Sequence, residues 1–478
     1  MESVASALER LASIAGATPV STLSRAFADA GHELALVGGP VRDAFLGRTA
    51  IDLDFTTDAT PDQTLAIVKP LATAHWDIGR AFGTIGARID GEQVEITTYR
   101  ADDYDPGSRK PEVVFGTSLE GDLIRRDFTV NAMAIRLPEL VLVDPSGGIE
   151  HLFDQLLTTP IAPELSFGDD PLRMMRAARF TSQLGFLVAD PVEQAMRAMA
   201  ERLSIISAER VRDELIKLLA GAEAARGIRL LVDTGLAEQF LPELPALRLE
   251  SDEHHHHKDV YEHSLTVLEQ SIGLERSRRA PEAEAQDPDI TGRLAALMHD
   301  IGKPITRRFE PGGAVSFHHH DLVGAKLARK RLRELRFDND TIADVSRLIE
   351  LHLRFFGYTD GAWTDSAVRR YVRDAGPLLE RLHVLTRADV TTRNQRKATK
   401  LARAYDELEA RIDHLAEQEQ LDATRPELDG EQIMAILDLS PGREVGEAYR
   451  FLLELRLEEG PVGVEEATER LRAWWASR

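Results

Sequence analysis

Val37-Gly38-Gly39-Pro40-Val41-Arg42-Asp43, followed by Ile51-Asp52-Leu53-Asp54-Phe55, is the stretch that decides how this chain reads. Residues 34–37 are short and apolar, which predicts a strand that ends in two glycines and opens a helix. A Gly-Gly turn carries no Cβ to block a phosphate, and its amides can point at one. The second stretch predicts another strand. Residues i and i+2 of a strand face the same side, so Asp52 and Asp54 project together. Two carboxylates on one face beside a phosphate-sized turn suit two Mg²⁺ ions and a nucleoside triphosphate. Either element alone is a weak signal; in this order, about a dozen residues apart, they reinforce each other.

Working outward, 478 residues predict several domains, and 43% hydrophobic content is enough to bury several cores. The absence of cysteine removes disulfides and thiolate metal sites and fits a reducing cytoplasm. No apolar run reaches membrane-spanning length, and the N-terminus lacks a basic-then-apolar leader, so a soluble cytoplasmic protein without a membrane partner is expected. A net charge of −22 argues against nucleic-acid binding by the whole surface and leaves room for a local basic track.

Residues 84–89 and 93–99 predict consecutive strands joined at Asp90-Gly91, a hairpin signal. Residues 100–115 are rich in Asp, Pro and Gly and read as a mobile closing loop, with Arg109 and Lys110 facing substrate. Residues 119–135 read as one helix, which would put Asp127 and Asn131 on a common face beside Arg125 and Arg126. From about residue 150 the pattern is helical. Asp169-Asp170-Pro171-Leu172-Arg173 opens a helix that runs through Arg176 and Arg179, with Pro171 in its first turn. A carboxylate and a guanidinium there can offer an acceptor and donors to a base edge. Ser207 caps the next helix, with Glu209 and Arg210 in its first turn.

The strings Arg125-Arg126-Asp127-Phe128-Thr129-Val130-Asn131-Ala132 and Asp170-Pro171-Leu172-Arg173-Met174-Met175-Arg176, with the Gly-Gly and Asp-x-Asp pair, resemble class II CCA-adding tRNA nucleotidyltransferases and the related bacterial poly(A) polymerases. The resemblance implies that Asp52 and Asp54 hold catalytic Mg²⁺. It implies that Gly38, Gly39 and Arg42 contact the triphosphate, with Arg126 and Asn131 beside them, and that Asp127 serves the ribose. Asp170 and Arg173, with Arg176 and Arg210 near, would pair with CTP or ATP. Glu95 is a weaker third acid. The family's base-selecting motif usually begins Glu-Asp; here it begins Asp169-Asp170, a side chain one methylene shorter.

A second set comprises His263, His299-Asp300, His320, His352 and Asp389. The string Leu297-Met298-His299-Asp300-Ile301-Gly302-Lys303 resembles the HD phosphohydrolase superfamily, which implies metal ligation by His263, His299, Asp300 and Asp389. Imidazole and carboxylate donors suit Mn, Fe, Ni, Co or Mg. His318 and His319 flank His320, and the sequence does not separate the three. His254 to His257 read as a polar turn.

Each motif has a plainer alternative. Arg126 and Asp127 could be a structural ion pair, Arg179 reads best as a solvated residue, and Glu209 with Arg210 could simply cap and pair. Arg393, Arg396, Lys397, Lys400 and Arg403 read as a solvated helix slightly better than as a phosphate track for tRNA. Taken together, the sequence predicts an α/β head with a small mixed sheet (1–150), then an all-α neck (151–250), an HD domain (251–390) and a helical tail (391–478). The expected function is template-independent addition or repair of the 3′ CCA end of tRNA from CTP and ATP. The rivals are poly(A) polymerase, an enzyme whose main activity is the HD hydrolase, and a non-catalytic RNA-binding protein.

Overall fold

The computed structural model describes the chain except residues 1–2, 49–51, 78, 102–113, 250–258, 279–286, 312–314, 356–357, 359–362, 393 and 420–424. Arg109, Lys110, Arg393 and His254 to His257 therefore lie outside the described residues. The chain divides into two compact units, Met1–Phe240 and Leu241–Arg478.

The first unit is built on strands β1 (Leu34–Val37), β2 (Leu53–Thr57), β3 (Ala74–Trp76), β4 (Thr84–Ile89), β5 (Glu92–Thr98), β6 (Arg100–Ala101), β7 (Val114–Phe115), β8 (Ala134–Leu137) and β9 (Val141–Val143). Seven of these form one mixed sheet in the order β3-β4-β5-β2-β1-β8-β9. Every residue of β1 is buried, as its unbroken apolar run requires for a central strand. Strand β2 runs parallel to β5, and their register sets Asp54 directly opposite Glu95. The β4–β5 hairpin turns at Asp90 (φ 51°) and Gly91 (φ 89°), the two left-handed residues that a type I′ turn demands. The flanks of the expected closing loop pair as β6 and β7.

Residues 119–135 are not one helix. A helix at Leu119–Ile124 ends, a 3₁₀ turn occupies Thr129–Asn131, and Ala134–Leu137 becomes β8, paired with β1 over its whole length. The apolar spacing is compatible with a helix, but pairing to a buried central strand decides the outcome. Ala132 and Ala134 join Val37, Tyr99, Leu119 and Leu123 in one core cluster.

Farther along this unit, helix Leu172–Leu184 packs against helices Ala208–Leu219 and Ala224–Asp233. A Cβ on Gly227 would stand 2.6 Å from the Ala178 carbonyl, so glycine permits this close approach. Phe180 meets Phe128 edge to face at 5.8 Å and joins the helix to the 3₁₀ region.

In the second unit, helices Val260–Arg278, Ile290–Met298, His320–Glu334, Asn339–Leu351 and Leu379–Ala388 pack together. Two backbones nearly touch there, since a Cβ on Gly302 would fall 2.1 Å from the His320 carbonyl oxygen. Three closing helices, Gly430–Leu437, Arg443–Glu459 and Val464–Ala476, share a core containing Ile433, Leu452 and Leu471. Among the described residues, no helix is long and apolar enough to cross a membrane.

Candidate active site and candidate metal centre

In the first unit, a cavity of about 750 Å³ opens at the end of β2. Gly38, Gly39, Arg42, Asp52, Asp54, Arg126, Asp127 and Asn131 line it from the sheet side, and Asp170, Arg173 and Arg176 line it from the helical side. Arg210 is tied to this wall through its guanidinium, which donates to Asp170 at 3.0 Å. The volume falls in the range of small-molecule sites.

Gly38 has φ +76°, and a Cβ there would stand 3.4 Å from the Arg126 guanidinium. Its own amide donates to the Met133 carbonyl at 3.1 Å. The expectation that both glycine amides aim at a phosphate thus fails for Gly38, whose contribution is the bare backbone.

Asp54 and Glu95, side by side across β2 and β5, share the cavity wall with Asp52. Burial, with the charges of Glu95 and Asp52 working against the pull of Arg126, pushes the Asp54 carboxyl up to about 6. A carboxyl crowded by like charges in this way is a donor set that fits divalent cations, so the residues present suit metal.

Opposite the carboxylates lies a guanidinium lattice with buried anchors. Fully buried Asp122 accepts from Arg125 at 2.7 Å, from Arg126 at 3.2 Å, from the Arg100 amide at 3.2 Å and from the Thr56 hydroxyl at 3.1 Å. Burial pushes its carboxyl up, but the Arg126 and Arg125 charges reverse that, leaving it below the ordinary range. Asp127 is a second anchor. One oxygen accepts from the Phe128 amide at 2.8 Å and from Asn131 at 3.1 Å, and the other pairs with Arg176 at 2.5 Å. Arg42 donates to the Asn131 side-chain oxygen at 2.7 Å, linking the Gly-Gly turn to the same lattice. Asp127 and Asn131 therefore meet as expected, but across an irregular turn. On the helical wall, Arg173 donates to Ser166 Oγ at 2.8 Å and to the Arg125 carbonyl at 2.6 Å.

Arg179 is not solvated. It is buried, pairs with Glu214 at 3.1 Å and stacks over Phe180 at 4.4 Å. Burial, reinforced by the neighbouring Arg176 charge, pushes it down to about 10. Arg100, Gln183, Glu214 and Lys217 also line the cavity and were not anticipated. A signal for two of them was present: Glu214 and Lys217 stand three residues apart and so share a helix face.

In the second unit the histidine set converges. His263 Nε2 stands 2.9 Å from Asp389, 3.3 Å from His299 Nε2 and 3.6 Å from Asp300. His299 and Asp300 are completely buried, and His320 and His352 join them. His318 and His319 are exposed, so the structure separates them from His320. Burial lowers the His299 ring, but the Asp300 carboxylate more than restores it, leaving it raised. Burial and the neighbouring His299 push His352 down to about 4. His320 Nε2 is buried 3.3 Å from Asp300 Oδ1 and makes no well-aligned hydrogen bond. Converging imidazole nitrogens and carboxylates fit a divalent metal. Lys303, 2.6 Å from Asp300, and Thr391, 3.0 Å from His263 Nδ1, are further members that the sequence reading did not single out.

Of the basic run near the tail, Arg396, Lys397, Lys400 and Arg403 are exposed on helix Gln395–Glu419. Arg387 is instead committed to Asp406 at 2.8 Å and Glu409 at 3.0 Å.

Against known proteins, the family described as Poly A polymerase head domain matches residues 34–158. The family described as probable RNA and SrmB-binding site of polymerase A matches 185–247, and the HD domain family matches 260–394. The chain is 35% identical to the A-adding tRNA nucleotidyltransferase of Deinococcus radiodurans, covering 92% of this chain and 95% of that protein. It is 33% identical to the CC-adding tRNA nucleotidyltransferase of Thermus thermophilus, covering 92% and 93%. The crystal structure of the Bacillus stearothermophilus CCA-adding enzyme in complex with CTP superposes with a TM-score of 0.65 at 25% identity, over 95% of this chain and 98% of that one.

Proposed function

Because this chain belongs to the tRNA nucleotidyltransferase family, we propose that it builds or repairs the 3′ CCA end of tRNA, using CTP and ATP. The observation that carries this reading is the cavity where Asp52, Asp54 and Glu95 face an anchored guanidinium lattice. A polyphosphate needs cations placed in advance, and a nucleophilic hydroxyl needs oxygen-rich metal ligands.

Asp52 and Asp54 would hold Mg²⁺, which supplies a lowered hydroxyl pKa and charge stabilisation at the leaving oxygens. The protein's own residues do the rest. Arg42 and Arg126, fixed by Asn131 and Asp122, receive the triphosphate. Asp127 holds the ribose end in register with Arg176. Asp170 and Arg173 present an acceptor and donors to the base, with Arg210 orienting Asp170. Pinned guanidinium groups pay little reorganisation when the anion arrives, so their field is spent on the transition state. Asp169 in place of glutamate leaves the reaction class unchanged.

The division into head 1–150, neck 151–250, HD domain 251–390 and tail 391–478 is part of this proposal, with the exposed basic residues of helix Gln395–Glu419 contacting tRNA phosphates. In the second unit, His263, His299, Asp300 and Asp389 would bind a divalent ion such as Mn, Ni, Co or Mg and support a secondary phosphoester hydrolysis. The location that fits this work is the cytoplasm.

The test uses tRNA lacking its CCA end, Mg²⁺, and labelled CTP, ATP or both. Two C residues from CTP alone, then one A when ATP is added, is the expected result. A long A tract with CTP ignored would make the chain a poly(A) polymerase. A single A added only to tRNA already ending in CC would restrict it to A addition.

A further inference from the structure

Helices Leu172–Leu184 and Ala208–Leu219 form the helical wall of the first-unit cavity, and cross-links fix how they run together. Arg210 donates to Asp170 at 3.0 Å, Arg179 pairs with Glu214 at 3.1 Å, and the Gln183 side-chain amide donates to the Lys217 carbonyl at 3.1 Å. A further bond, from Ser182 Oγ to the Leu218 carbonyl at 2.6 Å, clamps the same end as the Gln183 bond. At 1.5 Å per residue, Gln183 stands roughly 15 Å along its helix from Arg173.

Residues from the sheet side meet this wall in the same order. Asp127 pairs with Arg176, and the Arg42 guanidinium lies over the Phe180 ring at 5.5 Å. The wall is therefore graded. Asp170 and Arg173 face the base, Arg176 the ribose side, and Phe180 the Gly-Gly turn and Arg42, where the triphosphate is received. Gln183 and Lys217 lie one turn farther on and still line the cavity.

Lys217 differs from the other cations of the cavity. Arg126, Arg176 and Arg179 are each held by a buried carboxylate, that of Asp122, Asp127 and Glu214 respectively. Lys217 is exposed, and among the described residues its ammonium has no carboxylate partner. Glu214, the acid one turn back, is engaged by Arg179. An ammonium free on a flexible stem is a mobile point charge, suited to a phosphate that arrives and then leaves.

We propose that Lys217 binds the γ-phosphate of the incoming CTP or ATP and stays with the pyrophosphate as it departs, with Gln183 positioning the turn that carries it. This rests on the reading of the cavity as a nucleotidyl-transfer site. In that reaction the RNA 3′ oxygen bonds to the α-phosphorus, and the bond from that phosphorus to the oxygen shared with the β-phosphate breaks. The electron pair leaves on pyrophosphate, and the hydroxyl proton passes to solvent. An ammonium at the far end of the leaving group offsets the charge that it gains. A lysine in a last turn also suits the helix macrodipole, but that role is blind to the number of phosphates on a nucleotide.

The experiment measures equilibrium binding of CTP and of CDP, with Mg²⁺, to the full chain and to its Lys217→Gln and Lys217→Arg variants. Inhibition of CTP incorporation by pyrophosphate and affinity for tRNA are measured beside it. Lys217→Gln should weaken CTP binding by about tenfold, in keeping with one charged hydrogen bond, and weaken pyrophosphate inhibition alike. It should leave CDP and tRNA affinities unchanged, and Lys217→Arg should restore most of the loss. An equal loss on CTP and CDP, or none on either, would overturn the proposal. So would a loss confined to tRNA, which would make Lys217 an RNA contact. An unsubstituted chain that binds neither nucleotide would overturn the reading of the cavity as well. The CTP-to-CDP ratio is taken within each protein, so partial unfolding of a variant does not alter it.

Discussion

The cavity of the first unit and the centre of the second solve opposite problems with different atoms. The first gathers oxygen donors and surrounds them with guanidinium groups held by buried Asp122 and Asp127. The second gathers imidazole nitrogens around buried Asp300 and ties their far sides to backbone carbonyls. The difference teaches what each can receive. Carboxylates suit a hard ion, and fixed guanidinium groups suit a polyanion that must leave again. Imidazoles in a dry pocket suit a borderline metal that stays. Charge placement, rather than shape, separates the two.

The largest expected effect would break the comparison if it failed. Asp54→Asn should lower nucleotide incorporation by about 10³-fold or more, the loss of several kcal/mol of transition-state stabilisation. It should leave tRNA binding and second-unit metal content unchanged. Single-turnover incorporation, filter binding and elemental analysis check this, and near-normal incorporation would remove Asp54 from the chemistry. Next, Gly302→Ala forces a Cβ toward the His320 carbonyl and should destabilise the second unit by about 1–3 kcal/mol, with reduced metal retention. Denaturant titration with and without Mn²⁺ reads it. Arg210→Ala removes the partner of Asp170 and should shift the CTP-to-ATP preference by about tenfold, in keeping with one charged hydrogen bond. Competition assays with both nucleotides measure that shift, and an unchanged ratio would free Asp170 from Arg210.

The smallest effect sharpens the contrast within the second unit. His383 is buried against Tyr371, away from the metal ligands, and burial drives it down to about 4. Between about pH 4 and 6.5 the unfolded chain binds a proton that the folded chain refuses, so stability rises with pH across that window. The slope is about 1.4 kcal/mol per pH unit. Urea titrations of the metal-free protein and of His383→Gln at several pH values should differ by that slope, because His352 and Asp54, which also titrate in this window, contribute equally to both.

Much of this was legible because it is local. The Gly-Gly turn, the Asp-x-Asp strand and the Asp90-Gly91 hairpin are fixed by neighbours in sequence. The misreadings were non-local. Residues 119–135 carry spacing that a helix tolerates, and only pairing of Ala134–Leu137 with β1 decides otherwise. Arg179 looked solvated because its partner, Glu214, lies 35 residues away on another helix. Asp122 was not singled out in the sequence, because Thr56, Arg100, Arg125 and Arg126 close around it only in the fold. His320 could not be told from His318 and His319 until the chain turned it inward.

The carbonyls that hold the His299 and His352 imidazoles have a second meaning. Ala296 and Ile349 lie in the last turns of helices Ile290–Met298 and Asn339–Leu351, where carbonyls lack partners within the helix. His299 and His352 are therefore stoppers for their own helices as well as candidate ligands. Fraying of either end would swing a ring away, and loss of an ion would free a ring to let the end fray. Ion retention and helix-end opening become one equilibrium, whose signature is amide hydrogen exchange just past residues 299 and 352 that quickens as metal is withdrawn.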